Sequence, residues 1–109
     1  MKDLLKEQLK RLREYHFHIL YWAAEAEVKG TKYNITNAFD DLKDLGITRT
    51  KQSVMAYVES LYVLCFIDMK EERNRKNIYL SEHGAQALES LVRSSNFKTK
   101  RSRFLEGIK

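Results

Sequence analysis

The stretch Leu45–Ile67, LGITRTKQSVMAYVESLYVLCFI, decides the fold expected for this 109-residue chain. Gly46 can take the left-handed backbone conformation that ends a helix, and Thr48 and Thr50 can each cap the helix that follows. A stripe expected to be buried runs along this second helix at helical spacing and consists of Val54, Val58, Leu61 and Cys65. The stretch therefore predicts a tight turn, a helix and the start of a strand.

The opposite face of this predicted helix carries short, small or polar side chains. Its members are Arg49, Gln52, Ser53 and Ala56. Long apolar side chains would be needed to cover a core, whereas small and hydrogen-bonding ones leave room for a DNA groove and its base edges. This face is therefore a candidate for contact with duplex DNA.

Length and composition predict one soluble globular domain. A chain of 109 residues can bury a single core, and 43% apolar with 32% charged residues is globular rather than disordered. It contains no run of 18 apolar residues, and its first ten residues lack the unbroken apolar core of a secretory signal. One cysteine cannot form an internal disulfide, which fits a reducing compartment. We expect a cytoplasmic protein with no membrane partner.

Basic charge is concentrated in the second part of the chain. Residues 1–47 carry eight Lys or Arg against eight Asp or Glu, whereas residues 48–109 carry twelve against seven, so the net charge of +5 lies there. Excess positive charge around one predicted surface helix is typical of a protein that binds a polyanion such as nucleic acid. A solvated surface with a basic tail is the alternative that charge alone leaves open.

Apolar side chains at alternating spacings of three and four over residues 3–28 predict one long helix, or two with a bend near Tyr15. A domain of this size needs roughly half of that length to cover its core. Residues 1–15 are therefore expected to extend from the core and to pair with a second copy of the chain. Folding back onto the chain's own core is the alternative, and the last helix is a second candidate for the dimer surface. The candidate dimer residues are Leu5, Leu9, Leu12, Leu88 and Leu91.

The next segment predicts a helix break, a short edge strand and a second helix. Gly30 interrupts the first helix, and residues 33–35 alternate apolar and polar side chains. Thr36 is the expected N-cap of the second helix, and Asp40 and Asp41 are expected to favour its positive end. With the helix after the tight turn, it makes a predicted helix-turn-helix. Its inner face is expected to hold Ala38, Phe39, Leu42 and Leu45.

After Cys65 the pattern changes from helical to alternating, which predicts a β-hairpin. Residues 66–69 begin one strand, residues 77–80 form its partner, and KEERNRKN over residues 70–77 is the polar turn. The hairpin would therefore present a cluster of basic side chains around its tip. These are Lys70, Arg73, Arg75 and Lys76.

The last predicted helix is expected to be capped by Ser81, with Glu82 in its first turn. Its apolar face is expected to consist of Ala85, Leu88, Leu91 and Val92. From Ser94 onward the pattern fails, which predicts a basic tail over residues 96–109 that is a frayed extension or a flexible arm. The predicted fold is mostly α with a small β-hairpin (α+β), in a single domain over residues 1–95.

The order of these elements resembles the winged helix-turn-helix of the PadR-like and MarR-like regulators. The stretch Leu45–Ile67 resembles their recognition helix and its exit, and NIYLSEHGAQAL over residues 77–88 resembles their second wing strand and the helix after it. The resemblance covers about residues 16–92. These families usually have glycine where the recognition helix gives way to the strand, and because Cys65 stands there we expect another exit geometry. The wing exit is matched by Tyr79, Leu80, Ser81, Glu82 and Gly84.

The resemblance implies which residues contact DNA. Arg49 is suited to guanine and Gln52 to adenine, and Ala56 either leaves space or meets a thymine methyl. Lys51 is expected on phosphate or over the core. The implied groove-facing set is Thr48, Arg49, Thr50, Lys51, Gln52, Ser53 and Ala56. The wing cations Lys70, Arg73, Arg75 and Lys76 are suited to phosphates or the minor groove. A solvated hairpin tip is the alternative for the wing.

Residues with catalytic or metal-binding potential have simpler structural interpretations. His16 and His18 lie two positions apart on a helix and point about 200° from each other, so they cannot share a metal. His83 lies near Ser81, but Ser81 occupies a helix-cap position, so we expect no catalysis and no cofactor. Cys65 is expected to be buried and inert.

The leading hypothesis is a nucleoid-associated homodimer that binds duplex DNA sequence-specifically, most commonly as a transcriptional repressor. One alternative is a protein that binds partition sites in plasmid or chromosome segregation, spreads along DNA and recruits a larger protein partner. Another is a winged-helix module that binds proteins and no DNA.

Overall fold

The computed structural model describes residues 7–94 and 97–107 and places α1 (Glu14–Val28) at the centre of the fold. Residues 7–10 are also helical. The elements that follow α1 are α2 (Ile35–Asp44), α3 (Lys51–Val63), β1 (Ile67–Glu72), β2 (Arg75–Leu80), α4 (Glu82–Ser94) and α5 (Arg103–Glu106). The fold is mostly helical with one antiparallel strand pair, which confirms the predicted α+β class.

Helix α1 is central because its sequence is apolar on nearly every side. Phe17, Leu20, Trp22 and Ala23 are fully buried although they point in different directions around the helix. A helix with apolar residues on most of its sides is stable in water only where other elements cover those sides. Helix α1 accordingly contacts α3, α4, β2 and α5, and the core lies around it.

The helix is interrupted at residues 11–13, before α1 begins. Of the two predicted forms, the one with two helices is therefore confirmed. Arg13 is the N-cap residue, and its backbone N–H donates to Nδ1 of His16 at 2.9 Å. Leu12 is 5% exposed and belongs to the protomer core, and Leu9 packs against that core. These leucines therefore fold back onto their own chain and do not form the free extension we expected, while Leu5 lies outside the described residues.

The segment before α2 corrects two predictions. Residues 33–35 form no strand, because Asn34 makes only an isolated bridge with Asn77 and Ile35 already begins α2. The N-cap is Asn34 and not Thr36, since the Asn34 side chain accepts from the backbone N–H of Asn37 at 2.8 Å. The Asn37 side chain accepts in return from the backbone N–H of Asn34 at 3.1 Å, which closes a reciprocal cap.

Asp41 is buried in the second half of α2 and does not serve the helix start. Its Oδ2 accepts from the hydroxyls of Tyr33 and Ser102, each at 2.5 Å, and its Oδ1 accepts from the backbone N–H of Phe104 at 3.1 Å. Burial and the nearby carboxylate raise the pKa of Tyr33 well above its ordinary value, so the phenol remains a donor. Asp41 thereby ties three separate parts of the chain together.

The C-terminal segment is part of the core, which overturns the prediction of a frayed or flexible tail over residues 96–109. Within its described part, residues 97–107, Ser102 and Leu105 are each 1% exposed. Phe97 lies against Phe17, and the indole N–H of Trp22 donates to the carbonyl of Lys100 at 2.9 Å. The tail looked unstructured in sequence because these contacts are with residues far away along the chain.

The hairpin is tighter than predicted. Its strands pair from Ile67 with Leu80 to Glu72 with Arg75, so the turn consists of only two residues, Arg73 and Asn74. Both have positive φ angles, 52° and 67°, as a two-residue turn between twisted strands requires. The strands therefore include most of the segment that composition had predicted as turn.

Helix α4 packs through a face that differs from the predicted one. Gly84, Ala87 and Leu91 are buried, whereas Ala85 is exposed and Val92 is 54% exposed. A Cβ atom on Gly84 would lie 1.8 Å from the carbonyl oxygen of Phe66, so glycine permits this close approach. Ser81 caps the helix as predicted, with its Oγ accepting from the N–H of Gly84 at 2.9 Å.

Replacing Asp41 with alanine is expected to lower the free energy of unfolding by about 3 kcal/mol, because buried donors would be left without a charged acceptor. Urea denaturation measures the decrease. Trypsin should also cut the C-terminal segment after Lys98 or Lys100 faster than in the wild type. Asp40→Ala is the matched control, since Asp40 is the neighbouring exposed carboxylate. Equal denaturation midpoints for the two variants would contradict the role assigned to Asp41.

Stability is expected to fall as the pH decreases from 6.5 towards 4, partly because of His16. Burial, with a smaller effect of Arg13, lowers the pKa of His16 from 6.5 to about 4, so the unfolded chain takes up a proton that the folded chain rejects. Burial also lowers the pKa of His18.

His16→Gln keeps a side-chain acceptor but does not titrate, so its unfolding free energy should fall less between pH 7 and pH 5. His18 is present in both proteins, and their difference therefore isolates His16. Urea denaturation at both pH values measures the unfolding free energies. If the wild type and His16→Gln lose equal unfolding free energy between pH 7 and pH 5, the proposed effect of His16 is excluded.

Candidate nucleic-acid interface

The turn between α2 and α3 has the predicted geometry. Gly46 has a φ of 75°, in the left-handed region, and ends the α2 segment. Thr50 is the N-cap of α3, and its Oγ1 accepts from the backbone N–H of Ser53 at 3.2 Å. The face of α3 formed by Val54, Val58 and Leu61 is fully buried. The first two turns of α3 are thereby held at the surface.

Thr48 belongs to the predicted DNA-facing set, but it is buried in the structure. It is 6% exposed, and its hydroxyl donates to the carbonyl of Thr50 at 3.3 Å. This bond shapes the turn before α3. Thr48 therefore supports the surface from inside and is not available to a groove.

The other predicted residues of α3 divide into those held by the protein and those that project from it. Thr50 and Ser53 are joined through their hydroxyls at 2.8 Å, as part of the cap. Lys51 Nζ donates to Thr36 Oγ1 at 3.0 Å, which bridges α3 to the first turn of α2. The exposed side chains without such a described contact are Arg49, Gln52 and Ala56.

A cleft of about 430 Å³ separates the start of α3 from the hairpin. It brings Lys51 of α3 together with Arg75 and Lys76 of β2, although more than 20 positions separate them in sequence. Met55 also lines the cleft and is 42% exposed. Met55 is absent from the residues predicted from sequence, although its spacing of three and four residues from Gln52 and Lys51 places it on the same side of a helix.

The hairpin is less strongly basic than its four cations indicate. In the strand register Glu71 lies opposite Lys76, and Glu72 lies opposite Arg75. Residues 70–76 therefore carry four positive and two negative charges, a net charge of +2. Arg73 occupies the exposed tip of the turn.

Glu72, which directly precedes the turn of the hairpin, accepts hydrogen bonds from three side chains. Its carboxylate accepts from the hydroxyl of Tyr79, from the amide of Asn77 at 3.0 Å and from Lys32 Nζ at 2.9 Å. These donors lower the pKa of Glu72 to about 2, so the carboxylate is ionised at any ordinary pH. Lys70 Nζ lies 5.5 Å from the centre of the Tyr79 ring. The network fixes the hairpin against the segment before α2 and adds Lys32 to its basic face.

The described candidate dimer residues differ in how deeply they are buried. Leu12 and Leu91 are 5% and 4% exposed inside the protomer, so neither has a side chain available to a second copy. Leu9 and Leu88 are partly buried and lie at the edge of the core. Of the described members of the set, these two have surface left for a partner.

The histidines have structural partners. His18 is fully buried, stacks on Trp22 and lies 3.3 Å from Glu14. His83 stacks on Phe66, and its Nε2 lies 2.7 Å from Gln8 Oε1. The Ser81 hydroxyl donates to the carbonyl of Cys65 at 2.7 Å and accepts from the N–H of Gly84.

The described part of the chain contains neither a metal-binding cluster nor a membrane-spanning helix. Within residues 7–94 and 97–107, no group of three or more His, Cys, Asp or Glu side chains is arranged to hold a metal. Among the same residues, no helix combines the length and the apolar character needed to cross a lipid bilayer.

The connection from α3 to the hairpin corrects the predictions for Cys65. Cys65 is exposed and not part of the buried stripe, and its φ of 66° places it in the left-handed region. The exit therefore has the backbone conformation that favours glycine, although the residue is cysteine. Phe66, the next residue, is fully buried and fixes the direction of the hairpin relative to α3.

Cys65→Gly is expected to raise the free energy of unfolding by about 1 kcal/mol, because glycine adopts a positive φ without a Cβ penalty. Thermal or urea denaturation measures the change. Cys65→Ala is the control, since it also removes the thiol but keeps the Cβ atom, and it should leave stability nearly unchanged. Equal gains for the two variants would assign the effect to the thiol and not to the backbone.

Comparison with known proteins gives no family assignment. No protein-family model, curated protein or solved structure matches this chain. A function is therefore inferred from the cleft, the exposed turns of α3 and the charges around them.

Proposed function

We propose that the chain is a winged helix-turn-helix protein that binds duplex DNA sequence-specifically as a homodimer and acts as a transcriptional repressor. The observation that carries the proposal is the cleft between α3 and the hairpin. It brings Lys51 and Met55, on the first turns of α3, next to Arg75 and Lys76 of β2. Exposed side chains at the start of a helix and a basic hairpin beside it are the two parts that sequence reading and phosphate binding require.

Base reading is assigned to the first two turns of α3. Arg49 and Gln52 are exposed and not held by any described side chain, so both can turn towards base edges. An arginine can pair with guanine and a glutamine with adenine through two hydrogen bonds each. Ala56 leaves space for close approach, and Met55 presents an apolar surface suited to a thymine methyl group.

Phosphate binding is assigned to the hairpin and the residues beside it. Arg73, Arg75 and Lys76 lie on or next to the two-residue turn, and Lys32 joins the basic face through Glu72. Lysine and arginine contacts to phosphate position a protein on the duplex without reading its sequence. Lys51, already bridged to Thr36, adds a cation on the opposite side of the cleft.

A two-fold dimer would place two α3 helices in successive major grooves about 10 bp apart, which favours a palindromic site. Selection of bound duplexes from a random pool, followed by footprinting on the selected sequence, tests this. A single compact footprint over a palindrome supports the proposal. Protection of many repeats that extends on titration would favour the partition alternative, and no preferred site would overturn sequence-specific binding.

Replacing the residues assigned to base reading and replacing those assigned to phosphate binding are expected to change DNA binding in different ways. Arg49→Ala with Gln52→Ala should abolish the preference for the selected site but retain non-specific binding. Arg73→Ala, Arg75→Ala and Lys76→Ala together should weaken binding to all duplexes, and the salt slope should fall by about one for every phosphate that is no longer neutralised. Electrophoretic mobility shifts at several salt concentrations measure both effects.

Lys10→Ala is the matched control, because Lys10 is an exposed cation that pairs with Glu7 outside the proposed interface. With six to ten phosphate contacts, wild-type affinity should fall by about three to five decades between 50 and 200 mM salt. Indistinguishable behaviour of the two sets of variants would contradict the assigned roles. Absence of any affinity for duplex DNA would favour the protein-binding alternative.

A further inference from the structure

A second cleft lies between the hairpin and the connection from α1 to α2. We call it the outer cleft, and its volume is about 900 Å³. Asn34, Asn37 and Arg75 line both this cleft and the one at α3, so the two clefts are continuous. A long ligand held in one cleft therefore extends into the other.

The outer cleft has an excess of positive charge. Lys32, Arg73 and Arg75 line it together with one carboxylate, Glu72, so these side chains carry a net charge of +2. Lys32 pairs with Glu72 at 2.9 Å, whereas neither guanidinium has an ion pair or a hydrogen bond with a side chain of the described residues. A cleft lined mainly by one sign of charge concentrates ions of the opposite sign. The lining therefore favours an anion.

Two side-chain amides add uncharged donors to this lining. In the reciprocal cap of α2 the side-chain oxygens of Asn34 and Asn37 accept from backbone N–H groups, which fixes the orientation of both amides. Their amino groups have no acceptor among the described residues, although Asn34 is only 7% exposed. A ligand with several acceptor oxygens would satisfy both amino groups, and the positive end of α2 beside them favours negative charge. Phosphate has both properties.

We propose that the outer cleft binds a phosphate group of the DNA strand that flanks the bases read by α3. Lys32, Arg73 and Arg75 supply the positive charge, and Asn34 and Asn37 donate to the phosphate oxygens. A free phosphorylated molecule has the same chemistry, but the continuity of the two clefts assigns the phosphate to a strand that already lies in the cleft at α3. This inference rests on the proposed function, and it extends the contact with DNA past the hairpin to the connection between α1 and α2.

Lys32 distinguishes phosphate binding from a purely structural ion pair. Lys32→Ala should weaken binding to the selected duplex by about five- to tenfold at about 0.1 M salt and lower the salt slope by about one. Glu72→Gln should strengthen binding, because it removes the carboxylate that competes with phosphate for Lys32. If the ion pair only holds the hairpin in place, both variants should weaken binding alike, and that result would overturn the inference.

Two control variants accompany these measurements, which use electrophoretic mobility shifts at several salt concentrations. Lys32→Arg keeps the charge and should retain the wild-type affinity and salt slope. Lys10→Ala removes an exposed cation outside both clefts and should also behave as the wild type. The Lys32 side chain is 60% exposed, so circular dichroism should show an unchanged fold in both variants at this position.

Neutral backbone linkages locate the phosphate on the DNA. Methylphosphonate linkages, placed one at a time along the flanks of the selected site, each remove one backbone charge. At one flanking position the linkage should weaken binding of the wild type but leave the affinity of Lys32→Ala unchanged, because that variant has already lost the contact. If every flanking linkage weakens the two proteins equally, Lys32 contacts no flanking phosphate and the inference is wrong.

A free ligand is tested by calorimetric titration of the full chain with inorganic pyrophosphate in the absence of DNA. Millimolar affinity or no binding supports the assignment to DNA. Micromolar affinity that Lys32→Ala abolishes would assign the outer cleft to a small phosphorylated molecule and overturn that assignment.

The outcomes separate this inference from the proposed function. A wild type that binds no duplex DNA would overturn the proposed function. A wild type that binds a selected site, while Lys32→Ala retains the same affinity and salt slope, would overturn this inference alone.

Discussion

The carboxylate of Asp41 accepts three hydrogen bonds, one from the segment before α2 and two from the C-terminal segment, and the arrangement of these two segments around α2 depends on it. A buried charge is tolerated only when donors surround it. Tyr33, in the connection between α1 and α2, and Ser102 and Phe104, at the start of the short helix α5, supply these donors. These bonds hold the basic, weakly patterned C-terminal segment against α2, and the same segment contacts α1 through the hydrogen bond from Trp22 to the carbonyl of Lys100.

The same framework separates two tasks in the proposed interface. Helix α3 is held by its buried valines and leucine, so its first turns can present side chains that are free to bind. The hairpin is held by Phe66 and by the network around Glu72, and its cations are therefore set at a defined distance from α3. Contacts that choose a DNA sequence and contacts that supply affinity would thus come from different elements, which are joined through the left-handed residue Cys65.

Local patterns in the sequence predicted what local physics controls. The helical spacing of Val54, Val58 and Leu61 identified the buried side of α3, and Gly46 and Ser81 correctly identified a turn and a cap. Errors occurred where the exact end of a helix, the shape of a turn or a distant contact decided the outcome. Cys65 continued an apolar stripe but is exposed because the helix ends before it, and Thr48 looked like a surface residue but is buried. Asp41 resembled a residue that favours the helix start, yet it serves Ser102, 61 positions away.

By itself the sequence determined the fold class, the tight turn before α3 and the exposed, polar character of that helix's first turns, because spacing and capping act over a few residues. The tertiary structure alone decided which charges meet. It brought Lys51 to the same cleft as Arg75 and Lys76, and it placed Lys32 on Glu72. These relations depend on how helices and the hairpin pack, and packing is set by shape and burial between residues that no sequence period connects.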